Sequence, residues 1–156
     1  NMKNGRLTGW LTLGANAAVL IGIVLIVIEL DQNRDSMRAQ TRNEMSTSIV
    51  QLMSMIASDG ELASIRRRAD VGEELSPDEM QRYELLTIAN LRYWENVHYQ
   101  YRQGLYDSPE FERQLAAISG YINYSARFPS YWCQTKHLYS PKFADEIDGL
   151  LGDKAC

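Results

Sequence analysis

A long apolar run near the N-terminus constrains this chain more than any other feature of its sequence. The run covers 22 residues, from Leu7 to Ile28, and contains no charged side chain. A helix that crosses the hydrocarbon core of a bilayer needs about 20 apolar residues. Trp10 near one end, with Glu29 and Asp31 beyond the other, fits the two membrane interfaces. The run therefore predicts a transmembrane helix.

Two alternatives to a membrane span are a buried core helix and a cleaved signal peptide. The chain has 156 residues, enough for one domain, and a core helix of that length without a charge is unusual in so small a domain. A signal peptide has an apolar region of about 7–15 residues and then small residues at a cleavage site. This run is longer and ends in Glu29-Leu30-Asp31-Gln32-Asn33, which does not resemble a cleavage site. We therefore expect an uncleaved anchor within residues 1–30 and an extramembrane domain in residues 31–156.

The basic residues on either side of the run bear on its orientation. Lys3 and Arg6 precede it, whereas Arg34, Arg38 and Arg42 follow it. Positively charged residues near a span are enriched on the cytoplasmic side, and acidic residues count little. The larger number after the span favours a cytoplasmic location for the C-terminal domain.

Three small residues form a stripe along the predicted membrane helix. Gly14, Ala18 and Gly22 recur every four residues, so they lie on one face. Small residues let two membrane helices approach closely, and packing then favours their association. Asn16 places an amide in the same apolar run, and such a group gains from a polar partner. The pattern predicts contact with other transmembrane helices, of this chain or of a larger membrane complex.

The residues after the apolar run predict a continuation of the same helix. No glycine follows Asp31 until Gly60, and no proline until Pro77. A helix from Leu7 to Ser58 would be about 75–80 Å long. The residues that keep a helical period through this continuation are Met37, Thr41, Met45, Ile49, Leu52 or Met53, and Ile56.

Three serine–proline pairs predict the starts of later helices, because serine is a good N-cap and proline suits the first helical position. The pairs are Ser76-Pro77, Ser108-Pro109 and Ser140-Pro141. Glu79 completes a capping box with Ser76, and Gly104 and Gly152 follow two expected helix ends. The expected helices are about 61–70, 77–103, 109–127, 130–138 and 141–151. No segment alternates as a strand does, so the fold class is all-α, an N-terminal transmembrane helix continuing into a small up-down bundle.

The long helix 77–103 predicts most of the core. One of its faces carries Met80, Tyr83, Thr87, Leu91, Trp94, Val97 or His98, and Tyr101. The aromatic residues expected to pack on this face are Phe111, Phe128, Tyr131, Trp132 and Phe143. Such a stripe is more often core than a cofactor site, and we expect no cofactor.

Four residues are weak candidates for a metal site. Glu95 and His98 are three residues apart on one helix, and Cys133 and His137 are four apart. If the two helices met, these side chains would form a four-ligand zinc set. The alternatives are that His98 is a core histidine and that Cys133 is a small buried group or pairs with Cys156. No nucleophile or phosphate-binding motif accompanies them, so we do not expect an enzyme.

Charge offers two further candidate surfaces. Arg34, Arg38 and Arg42 form a stripe that predicts contact with anionic headgroups. The run 66–68 is three consecutive arginines, further from the expected bilayer. Residues 31–156 carry 14 basic and 19 acidic side chains, a net charge of −5, so no nucleic-acid partner is expected.

The residues around the membrane exit resemble those of a group of small bacterial single-pass membrane proteins. The similar stretches are Ile28-Glu29-Leu30-Asp31-Gln32-Asn33, Arg38-Ala39-Gln40-Thr41 and Ser140-Pro141-Lys142-Phe143. The group has no assigned activity, so the resemblance transfers no catalytic residue. It implies a location in the bacterial inner membrane and draws attention to Glu29, Gln32 and Asn33 at the exit.

Together these features predict a non-enzymatic, membrane-anchored helical protein that works by association. Its expected partners are the lipid bilayer and other transmembrane helices. These helices belong either to a homo-oligomer or to a larger complex, such as a respiratory or photosynthetic one, of which the chain is an accessory subunit. A metal-binding bundle or enzyme built on Glu95, His98, Cys133 and His137 is one alternative. A lipid or small-molecule sensor is another.

Overall fold

The computed structural model describes the backbone of residues 2–156 and the side chains from Gly9 onwards. Lys3, Arg6 and Leu7 therefore lie outside the part whose side chains are described. Within residues 2–156 the chain is all-α and contains no strand. Its helices are α1 Met2–Ser58, α2 Gly60–Asp70, α3 Pro77–Arg102, α4 Ser108–Tyr124, α5 Phe128–Thr135 and α6 Pro141–Leu151, with short 3₁₀ turns at Lys136–Leu138 and Gly152–Lys154. The predicted fold class is confirmed.

The chain divides into two compact units, and the division falls between Gln40 and Thr41. In the first unit nearly every described side chain is exposed. In the second, burial begins at once with Thr41 and Met45, which are 7% and 4% exposed. The expected membrane boundary near residue 30 and the start of the packed unit are therefore ten residues apart.

The second half of α1 packs through the face expected from the sequence. Met45 is buried against the core, and Ile49 is half-buried beside it. Leu52 and Ile56 continue this face and are also half-buried. Met37, the first residue of this helical period, belongs to the first unit and is 46% exposed. Burial along this face therefore begins one helical turn later, at Thr41.

The core is built on α3, as predicted. Tyr83, Thr87, Leu91 and Val97 are at most 1% exposed, and Trp94 is 7% exposed. The aromatic side chains that join them from the later helices are Phe111, Phe128, Trp132 and Phe143, all buried. The ring centroids of Trp132 and Phe143 are 6.2 Å apart at 90°, an edge-to-face geometry that aromatic pairs favour. Tyr131 is only half-buried, at the margin of this cluster.

The three predicted helix starts have different outcomes. Ser76 caps α3 with a complete capping box, because its hydroxyl accepts from the backbone N–H of Glu79 and the Glu79 carboxylate accepts in return. α4 begins one residue earlier than expected, with Asp107 rather than Ser108 as N-cap. Ser140 is the N-cap of α6, but its side chain makes no capping bond. The serine–proline pairs thus predicted where the three helices begin, but only Ser76 makes the expected capping hydrogen bond.

A disulfide joins Cys133 in α5 to Cys156 at the C-terminal end of the described chain. The two Cα atoms are 5.5 Å apart, within the usual range for a disulfide, and the bond closes a separation of 23 residues. It fastens the segment after α6 back to α5. The sequence left this pairing open, and both cysteines are used in it.

Candidate functional site

The largest candidate interaction surface is the apolar part of α1 in the first unit. Its apolar side chains are widely exposed, from Trp10 at 73% to Ile28 at 48%. An 18-residue window of this helix has a mean hydropathy of 2.6 and is 0% buried within the chain. By length and composition, α1 is the one helix from Gly9 onwards that is long and apolar enough to span a membrane. Signal sequences and the core helices of soluble proteins also meet these criteria of length and composition. A core helix is mostly buried, however, whereas this stretch is not.

The small-residue stripe leaves an open face on this helix. A Cβ atom added to Gly14 or Gly22 would meet no other atom within 4 Å. Ala18, one turn from each, is exposed. The backbone on this face is therefore accessible to close approach by a second helix.

The polar residues at the end of the apolar stretch form one local group. Glu29, Gln32 and Asn33 line a shallow depression in the helix surface together with Ile26 and Leu30. All three polar side chains are exposed. The structure thus brings these predicted residues together on a single helix, without assigning them a partner.

The predicted arginine stripe is partly engaged within the chain. Arg38 lies 3.8 Å from Asp35, an ion pair between residues three apart on the same helix. Arg42 lies in the second unit and makes a 2.8 Å ion pair with Glu110 of α4. Arg34 is exposed beside Asp31. Since Arg42 already has an anionic partner, the expectation that all three arginines face headgroups is weakened.

The arginines at 66–68 do not form a continuous basic patch. Arg66 lies 3.8 Å from Asp70, and its guanidinium is 5.0 Å from the centre of the Tyr121 ring. Arg68 binds Glu79 at 2.6 Å and Glu73 at 3.4 Å, which ties α2 to α3. Arg67 between them is exposed. Two of the three cations are therefore structural ties within the domain.

The metal candidates do not assemble. Cys133 is bonded to Cys156, so it has no thiolate to offer a metal. Glu95 accepts a 2.7 Å hydrogen bond from the backbone N–H of Ser140 and a 2.6 Å ion pair from Arg92. No group of three or more potential ligands occurs among the described residues. The alternative site built from Glu95, His98, Cys133 and His137 is not supported.

His98 is a core histidine. It is 7% exposed, and its ring lies 6.0 Å from that of Phe111 and 5.8 Å from that of Phe143. Burial lowers the pKa of His98, because the apolar surroundings disfavour the charged imidazolium. A neutral imidazole among aromatic rings serves packing. His137 lies in the 3₁₀ turn after α5 and is exposed.

Sequence reasoning missed the role of Glu95 as a tie between helices. One carboxylate oxygen of Glu95 accepts a hydrogen bond from the backbone N–H of Ser140 at the start of α6. The other accepts a hydrogen bond from Arg92, which lies on the same helix as Glu95. Burial opposes the charge of Glu95, but these donors outweigh it and hold its pKa below the usual range. The sequence signal was an i, i+3 arginine–glutamate pair, which by itself gives no hint of the distant N–H.

Comparison with known proteins adds no family to this geometry: no family model, no curated protein and no solved structure matches the chain.

Proposed function

We propose that this chain is a membrane-anchored helical protein that works by association, without catalysis. The observation that carries the proposal is the apolar stretch of α1, whose side chains are exposed over more than five turns. Apolar surface of this size is costly in water and requires a cover. Lipid covers it on most sides, and a second helix covers the rest.

The stripe Gly14, Ala18 and Gly22 supports helix–helix contact as the mode of association. Between apolar helices in lipid, close backbone packing replaces the hydrophobic effect as the driving force. The open space above Gly14 and Gly22 is compatible with such packing. The partner is either a second copy of this chain or a helix of a larger membrane complex.

The disulfide supports a location of the helical domain on the oxidising side of the membrane. Disulfides persist in extracytoplasmic compartments and are rare in the cytoplasm, where thiols are kept reduced. Cys133 and Cys156 are paired. This argument runs against the cytoplasmic orientation that the flanking charges favoured by three to two, and we give it greater weight. The proposed setting is therefore the bacterial inner membrane with residues 41–156 outside the cytoplasm.

The orientation is tested by labelling intact spheroplasts with a membrane-impermeant maleimide polymer. We expect no shift in mass before reduction and a shift of two labels after treatment with an impermeant reductant. Two labels without any reductant would show free, exposed thiols and contradict the disulfide. No label with the impermeant reductant, but two after membrane lysis and reduction, would place the domain in the cytoplasm.

Association is tested by native mass spectrometry of the full-length protein, extracted in a mild non-ionic detergent from its own membrane. A multiple of the chain mass, or reproducible foreign chains, is the expected result, and the mass also reports whether the anchor has been cleaved. The replacements Gly14→Leu and Gly22→Leu together should dissociate the assembly. Gly9→Leu is the matched control, since Gly9 lies about two and a half turns before Ala18, on the opposite side of the helix. A monomer with an intact anchor, or equal assembly in all variants, would overturn the proposal.

A further inference from the structure

A cavity of about 340 Å³ lies inside the second unit, beneath the last turns of α1. Its walls are mainly apolar and come from four helices, α1 to α4. Leu52 and Ile56 of α1 face Trp94 of α3 and the residues Ile118 and Tyr121 of α4 across it. Its size and lining fall within the range typical of small-molecule sites, 300–1,000 Å³ with mostly hydrophobic and aromatic walls.

The cavity exists because α1 packs less closely towards its C-terminal end. Met45 is 4% exposed, but Ile49, Leu52 and Ile56 are only half-buried, and Met53 at the rim is 60% exposed. Apolar walls that lack a neighbour lose their dispersion contacts. A bound apolar group would supply those contacts, so the cavity favours an occupant over empty space or water.

One end of the cavity is cationic. Arg66 of α2 lines it, with its guanidinium over the Tyr121 ring. The contact of Arg66 with Asp70 measures 3.8 Å, longer than a hydrogen bond, and a guanidinium has five N–H donors. Burial raises the pKa of Tyr121 far above its ordinary value, so its hydroxyl carries no charge beside Arg66, whose ion pair with Asp70 is the 3.8 Å contact. Donors therefore remain for an anionic group that enters the cavity.

The volume sets the size of the occupant. A water molecule takes about 30 Å³ of liquid, and a methylene group is of similar size, so the cavity holds roughly ten to twelve heavy atoms. A diacyl phospholipid is several times larger. One chain of medium length with one small headgroup matches both the volume and the single cationic end.

We propose that this cavity binds a free single-chain amphiphile with an anionic headgroup, a medium-chain carboxylate, with its tail between α1 and α4 and its carboxylate at Arg66. The site is separate from the helix association proposed above and would stand if that association failed. It uses residues 49–121 of the second unit and none of the exposed apolar stretch of α1.

The experiment is photolabelling of the full-length protein in phosphatidylcholine nanodiscs. The probe is decanoic acid with a diazirine at the end of its tail, and mass spectrometry of peptides locates the adducts. We expect saturable labelling in residues 49–56 and 114–121, with excess decanoic acid competing and decanol competing poorly. Labelling confined to residues 9–30, or labelling that never saturates, would overturn the site. Equal competition by decanol would overturn the anionic headgroup.

Two pairs of variants sharpen the test. Ala117 lines the cavity and its neighbour Ala116 does not, so Ala117→Phe should reduce labelling at least about fivefold while Ala116→Phe leaves it unchanged. Arg66→Gln should raise the half-saturating concentration about tenfold, the loss of one charge-assisted contact, while Arg67→Gln has no effect. Circular dichroism checks that each variant is folded. If Ala117→Phe fails to fold, competition in the wild type and the comparison of Arg66→Gln with Arg67→Gln still test the site. An unchanged half-saturating concentration in Arg66→Gln would refute the proposed carboxylate contact.

Discussion

Glu79 joins the start of α3 to α2 through a single carboxylate. It accepts the Ser76 N–H at 2.8 Å and pairs with Arg68 at 2.6 Å. The hydrogen bond from Arg68, with that from Ser76, lowers the pKa of Glu79 from 4.5 to about 2. A carboxyl group with a lowered pKa in the folded state stabilises the protein fully above its unfolded pKa. That contribution is lost as the pH falls from about 4.5 towards 2.

In Glu79→Gln we therefore expect the free energy of unfolding to fall less between pH 4.5 and 2 than it does in the wild type. The glutamine can still accept the capping hydrogen bond, but it carries no charge that protonation can remove. Denaturant unfolding of the full-length protein in non-ionic detergent, followed by circular dichroism across this pH range, measures the effect. Asp78→Asn is the control, since it removes a neighbouring exposed carboxylate in the same helical turn. An equal slope in wild type and Glu79→Gln would show that the carboxylate contributes nothing.

Trp132 is the largest fully buried side chain among the described residues, and it also makes a directional polar contact. Its side chain is 0% exposed, and its indole N–H donates to Asp148 at 2.7 Å. Trp132→Phe leaves a void and removes the donor, so we expect a loss of about 2–3 kcal/mol in the free energy of unfolding. Thermal and chemical unfolding measure the loss. Trp10→Phe, at a 73% exposed position, should change the stability of the helical domain by less than about 0.5 kcal/mol.

At the scale of elements, the disulfide holds the end of the chain against α5. A cross-link that closes a loop of this length stabilises a fold by about 3 kcal/mol, chiefly by restricting the unfolded chain. The double variant Cys133→Ser with Cys156→Ser should therefore lose about that amount. Hydrogen exchange should rise most in residues 136–156, which the bond encloses. Uniform exchange across all helices would instead mean that the bond supports the whole domain.

The elements also show which structural features the sequence encodes locally. The α3 cap was predictable because Ser76 and Glu79 are three residues apart and complete their own hydrogen bonds. The partner of the N–H at the start of α6 was not predictable, because the Ser140 N–H is satisfied by Glu95, which is 45 residues away in the sequence. Helix starts follow from neighbours along the chain, whereas their hydrogen-bond partners depend on how the helices pack.

The same distinction applies to the candidate sites. The apolar stretch and the small-residue stripe could be predicted from the sequence, since each depends only on residues within one helix. The cavity was not readable, because its cationic end comes from α2 and its walls come from α1, α3 and α4. The contacts of the arginines at 66–68 were not readable for the same reason, since the sequence presents one run while the fold uses Arg66 and Arg68 in different contacts. The resemblance at the membrane exit stays a prediction.

For the whole molecule, the division at Gln40 and Thr41 separates the surface proposed for association from the packed helices. A fragment of residues 31–156 retains the disulfide and all the residues that are buried in the described part of the chain, but it lacks the apolar stretch. We expect it to be soluble, helical and monomeric, because the proposed contact through Gly14, Ala18 and Gly22 is absent.

Sedimentation of this fragment, compared with the full-length protein in detergent, distinguishes a contact in the membrane from one in the helical domain. A monomeric fragment beside an assembled full-length protein would locate association in the anchor. A fragment that dimerises as strongly as the full-length protein would move the contact to the helical domain, where Val50, Met53 and Met55 are the exposed apolar side chains of α1. Replacing Met53 and Met55 with Gln would then have to abolish that dimer, while Gly14→Leu would leave the full-length assembly intact.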